Sequence, residues 1–221
     1  GGQSCSFSIL VNTPQPQYPA NSVFCNGATF IQDVTNPNTG KIWMDRNLGA
    51  TQVAASSIDQ NAYGDLYQWG RRNDGHQCRS SASTSTLSST DQPLHGNFIL
   101  TTITPGDWRS PQNINLWQGV NGVNNPCPIG YRLPTETELN SERLSWTSYN
   151  SAGAFASPVK WTAAGGRSNT SGLLSDVNTI GKYWSSTAVN TSSRCLIFAG
   201  SSAGMNPCAR AQGNSVRCLK N

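Results

Sequence analysis

The chain has 221 residues, of which 36% are hydrophobic and only 12% charged, enough for one large domain or two small ones and too apolar for a disordered segment. The net charge of +4 is spread thinly with no lysine or arginine run, so nucleic acid is not an expected partner. No apolar run is long enough to cross a bilayer, so direct membrane insertion is not expected. The chain opens Gly1-Gly2-Gln3, as a trimmed or mature fragment would, and the missing leader says little about export. Seven cysteines form no CxxC pair, which argues against a zinc ribbon or thioredoxin-like site. Disulfides in an oxidising compartment are the simpler expectation, with at least one thiol left over.

Residues 1–30 read as a Pro-rich arm, with Cys5 and Cys25 bracketing prolines 14, 16 and 19, and a Cys5–Cys25 bridge would staple it. Residues 31–221 read as one domain with neither linker nor repeat. Ala28–Asp33 and Lys41–Asp45 read as strands joined by the turn Asn36-Pro37-Asn38-Thr39-Gly40. The segment Asp59–Arg71 (DQNAYGDLYQWGR) predicts a helix capped by Asp59, with Tyr63, Leu66, Tyr67 and Gly70 at helical spacing and its aromatics in the core. Residues 72–97, which hold both histidines, His76 and His95, read as a polar surface loop. Thr135 with Glu138 forms a capping box that predicts a helix to about Trp146, after a strand stopped by Pro134. In the last forty residues one run alternates: Leu196 and Phe198 point to one face, and Cys195, Ile197 and Ala199 to the other. The first face reads as core and the second as display; a strand buried on both faces is the open alternative.

RNLGA (46–50), YGDLYQWGR (63–71), DWR (107–109), PCPIGYRLPTETEL (126–139), GGR (165–167), YWSS (183–186) and SVRCLK (215–220) follow one another in an order that resembles the Fibrobacter succinogenes major paralogous domain family. The resemblance covers roughly residues 40 to 221. It implies an α+β, C-type-lectin-like fold: two helices, small twisted antiparallel sheets and long loops held by a disulfide, here Cys127–Cys218. The family includes targets of diversity-generating retroelements, whose variable stretch lies between a YWSST-like block and RxxGxSVRC. The matching blocks here are Tyr183–Thr187, Arg210–Gly213 and Ser215–Cys218, which makes 188–214 the variable segment. Cysteines at 195 and 208 are unusual occupants of such slots. Replacing the adenines of an Asn codon reaches the residues at 195, 197, 199, 201, 206, 208, 209 and 214, as it does most ordinary loop residues.

The resemblance thus implies a non-enzymatic domain of a cell or virion surface that binds a protein or surface receptor of another cell. The candidate ligand face is Trp184, Arg194, Cys195, Ile197, Ala199, Ser201, Asn206, Cys208, Ala209 and Asn214. The rival is an adhesin or cell-wall module that binds glycan through exposed tryptophans. No GxSxG, HExxH or P-loop is present. A formylglycine-generating-type oxidase would have only Cys195 and Cys208 as its thiol pair, with Arg194 and Arg210 as the only basic neighbours. No cofactor or metal is expected: no carboxylate follows Asp176 to serve Ca²⁺ in the tail, and a structural ion elsewhere would draw on Asp65, Asp74 or Asp107. Oligomeric state is left open.

Overall fold

The computed structural model describes residues 18–221. The first strands in chain order are β1 (Asp33–Thr35), β2 (Ile42–Met44), β3 (Tyr67–Gln68), β4 (Ser83–Thr84), β5 (Phe98–Ile99) and β6 (Tyr131–Arg132). Two helices follow, α1 (Glu136–Leu144) and α2 (Ser151–Ala156). Then come β7 (Gly166–Arg167), β8 (Leu174–Ser175), β9 (Gly181–Val189), β10 (Ser192–Phe198), β11 (Ala203–Cys208), β12 (Gly213–Asn214) and β13 (Leu219–Lys220). The architecture is α+β, with two helices and several small sheets that are mostly antiparallel.

Helix α1 forms where the capping box predicts it. The Thr135 hydroxyl accepts from the Glu138 N–H, and the Glu138 carboxylate accepts from the Thr135 N–H at 2.9 Å. Arg132 grips that carboxylate at 2.8 Å, which ties the helix start to β6. The predicted hairpin is also present, with Val34 opposite Trp43, although its first strand begins only at Asp33. β13 inserts between β2 and β6, so this last strand closes the sheet that β1 and β2 begin. A Cys127–Cys218 disulfide, Cα atoms 5.9 Å apart, pins that closure.

The longest sheet, in the order β11-β10-β9, carries the core. Leu196 lies opposite Tyr183, and with Phe198 they pack on Trp43, Trp146 and Trp161. The other face of the same strands packs Cys195 and Trp184 on Trp69, Trp117 and Val216. β10 is therefore buried on both faces, and the expected split into a core face and a display face holds only for its core half. Most other strands are two or three residues long, too short for their ladders to hold the fold. Aromatic burial does more: each tryptophan removes roughly 150–250 Å² from water, about 4–6 kcal/mol as an upper bound. Four arginines are built into this interior as well. Arg217 bonds Asn47, the Met44 carbonyl and the Val159 carbonyl, and its guanidinium lies 5.3 Å from the Trp161 ring. Burial lowers its pKa to about 10, which leaves it charged at neutral pH.

Three expectations are corrected. Asp59–Arg71 is not a helix: Asp59 caps only the short 3-10 turn Gln60–Ala62. Gly64 at φ +64° and Gly70 at φ +86° stand in left-handed conformations that no helix contains. The aromatics there are nonetheless core, with Tyr63 and Tyr67 buried. The insert 72–97 is not all surface, because Asn73, His76 and Gln77 are buried. His76 accepts from the Gln68 N–H through Nε2, which places the proton on Nδ1, 2.6 Å from Asp74. Burial first, and Arg71 next, push the His76 pKa down to about 4. Finally, Cys25 pairs with Cys78, not with Cys5, which lies outside the described residues. Val23 donates its N–H to the Asn73 carbonyl and accepts from the Gln77 side chain, so 21–25 runs beside 73–78 and brings the Cα atoms to 5.5 Å.

Candidate ligand-binding surface

Trp184, Cys195, Cys208 and Asn214, expected to face solvent, are all buried. Trp184 donates its indole N–H to the Tyr67 carbonyl inside the core, and its size makes it filling for the interior. Cys195 and Cys208 are joined in a disulfide that crosses from β10 to β11. Arg194 sits on the opposite face of the sheet, where its guanidinium bonds Glu136 of α1 at 2.6 Å. Ala199 and the exposed Ser201 belong to the β10–β11 turn, away from the rest.

What remains open to solvent is a smaller, contiguous set. Ile197 is half-buried and lies directly opposite Lys182 of β9. Asn206 lies opposite Cys195, two residues along on the same sheet face. Lys182, Gln212 and Asn214 line one groove of about 160 Å³ with Arg167, Ser168 and Asn169. Gly166 makes the groove possible: a Cβ there would come within 3.1 Å of the Lys182 stem and 3.3 Å of the Asn214 amide oxygen. Ala209 joins the rim through Gly106, whose Cβ position lies 2.9 Å from the Ala209 methyl and 3.8 Å from the Asn169 amide nitrogen.

The groove carries one net positive charge, from Arg167. Lys182 is held by Asp176 at 2.6 Å, and that bond holds the Asp176 carboxyl below its ordinary range. The Arg167 guanidinium donates to Gly172, Cys78, Ser81 and Ser83, and it stacks 4.2 Å over Phe98. Its donors are turned inward and it serves as wall. Asn214 differs: its Nδ2 is buried and has no hydrogen-bond partner among the described residues. A buried amide donor left unpaired costs about 1–3 kcal/mol.

Lys182, Gln212 and Asn169 were not among the residues expected from sequence. GGR (165–167) and RAQG (210–213) marked the neighbourhood, but nothing in a single sequence brings residues 166, 182 and 212 together. All seven tryptophans are at most 6% exposed, so none offers a stacking platform. The half-exposed aromatics among the described residues are Phe30 and Tyr149, each with an arginine over its ring. Asp74 is engaged by Arg71 and His76, and Asp107 by Arg210. Three disulfides fit an oxidising compartment, and no described helix is long and apolar enough to cross a membrane. No family model, curated protein or solved structure matches the chain.

Proposed function

We propose that the chain is a non-enzymatic, C-type-lectin-like binding domain of the Fibrobacter succinogenes major paralogous kind, diversified by a retroelement, that recognises a protein or surface receptor of another cell. The expected ten-residue face is replaced by a smaller one: Ile197, Asn206, Ala209 and Gln212 around the Asn214 groove. One observation carries this. These side chains come from a segment whose neighbours, Cys195, Leu196, Phe198 and Cys208, are locked in the core, so the frame is set before contact. A preorganised frame spares the ordering free energy that loops lose on binding.

The size of the groove selects the class of partner. At about 160 Å³ it is well below the roughly 300–1,000 Å³ of small-molecule sites, so it takes a single polar group projecting from a larger surface. With Lys182 held by Asp176 and the Arg167 charge in the wall, a hydrogen-bond acceptor suits this groove better than a cation. Ile197 supplies the apolar contact beside it. No aromatic lines the open set and Arg167 turns its donors inward, so affinity is modest. Placement outside the cytoplasm, on a cell or virion, belongs to the same proposal.

Sequencing the DNA beside the coding region tests the diversification. The expected result is a near-copy of the stretch encoding 188–214, differing only at adenines, next to a reverse transcriptase gene. Flanking DNA without such a copy removes the retroelement from the account.

A further inference from the structure

A second cavity has a volume of about 440 Å³, the size of a site for one small metabolite. Its lining joins four stretches of the chain, around Cys25, Gly49, Asp65 and Arg79, the first and last tied by the Cys25–Cys78 disulfide. Asp65 is 4% exposed, yet its carboxylate makes no hydrogen bond to any described residue. Gly49, at φ +81°, allows it to be there, since a Cβ would fall 2.2 Å from the carboxyl carbon. Arg79 shares the cavity. Its Nε and one terminal nitrogen are fixed by the Gly64 and Ala164 carbonyls at 2.7 and 3.0 Å, and the other terminal nitrogen has no partner among the described residues.

The two opposite charges do not pair with each other. Arg79 is held in place by carbonyls and stacks over Tyr63, and Asp65 is held over Gly49. A fold that needed only to neutralise Asp65 would bring the guanidinium onto it, as it brings Arg71 onto Asp74 at 2.8 Å. Two fixed, separated, opposite charges facing one small polar cavity are complementary to a small molecule that carries both charges itself.

We propose that this cavity binds a zwitterion of the α-amino-acid type, its ammonium group on Asp65 and its carboxylate on the free edge of Arg79. Gln60, Asn61 and Thr51 at the mouth then meet the side chain. Burial raises the Asp65 pKa to about 7, with Arg79 opposing it, so the cavity disfavours this charge unless a cation meets it. An ammonium group supplies the missing countercharge.

The test uses the full chain and isothermal titration with the standard amino acids, with methylammonium and acetate as single-charge probes. The expected result is saturable millimolar or tighter binding of at least one amino acid, and none of either single-charge probe. Asp65→Asn and Arg79→Gln should each weaken binding by about ten- to a hundredfold, the loss of one charge-assisted contact. Asp65→Asn keeps the shape of the side chain, and circular dichroism checks that each variant is folded. The proposal is overturned if no amino acid binds, if methylammonium binds as well as the amino acid, or if binding survives in both folded variants. Should one variant not fold, the single-charge comparison on the unmodified chain decides alone.

Discussion

Replacing Asp65 by Asn should stabilise the protein, and only above mildly acidic pH. The native carboxyl titrates at about 7, chiefly because burial disfavours its charge, with Arg79 opposing that. The unfolded carboxyl titrates near its ordinary value of 3.8. Between these values the native state keeps a proton that the unfolded state has released, so stability falls as pH rises through this window. Roughly three pKa units at 1.36 kcal/mol each give about 4 kcal/mol, an upper bound reached above about pH 7. Arg79 is the charged group that shares the cavity, and the Tyr18 and Tyr67 phenols close by stay neutral throughout, since burial raises both. Asn cannot ionise, so the term disappears. Denaturant unfolding of both proteins from about pH 4 to 8 measures it as a difference in which the other titrations cancel. The variant should match the parent near pH 4 and exceed it by up to about 4 kcal/mol near pH 8. A pH-independent difference, or an Asn protein that is the weaker of the two at high pH, would refute the claim that this charge is buried without a partner.

Gly64→Ala should lose more than about 2 kcal/mol, because it combines left-handed backbone strain with a Cβ 2.2 Å from the Leu48 carbonyl oxygen. Gly40→Ala, at φ +67° but with open space around it, should lose only about 1–2 kcal/mol; equal losses in thermal unfolding would show that packing at Gly64 is irrelevant. Removing the Cys127–Cys218 bridge, which spans 91 residues, should cost roughly 4–5 kcal/mol in chain-entropy terms, and a loss below 1 kcal/mol would mean the closing sheet needs no staple. His76→Gln should flatten the acid limb of the stability profile. The native imidazole resists protonation down to about 4, whereas the unfolded one charges near 6.5, so the parent loses stability as pH falls through that range and the variant loses less. An unchanged acid limb would show that His76 does not drive it.

Local chemistry was legible where one residue type does one job. The Thr135–Glu138 capping box, the Asn36–Gly40 turn and the inward pair Leu196 and Phe198 could be read from the chain. The failures share a cause: periodicity reports a pattern of burial but not how many elements surround a segment. Asp59–Arg71 has helical spacing because Tyr63, Leu66 and Tyr67 are buried from an irregular path through two left-handed glycines. Cys195 looked like a surface residue because alternation implies two faces, yet a second aromatic cluster covers the one it points to, and Asn214 was expected outward only from the resemblance. His76 and Arg71 are polar residues buried by mutual satisfaction, a property of partners brought together only by the fold. The groove beside Lys182 and the cavity beside Asp65 both join separate stretches of the chain, and neither has a local signature.

The most direct measurement is the binding of labelled full chain to intact bacterial cells of several species, comparing the parent with an Ile197→Asp, Asn206→Lys, Ala209→Arg triple variant. These positions are partly buried and Ile197 packs on the core, so circular dichroism first checks that the variant is folded; the folded variant should lose the capture that the parent shows on a recognised cell. Capture that persists undiminished in a fully folded triple variant would contradict recognition through the C-terminal hairpin.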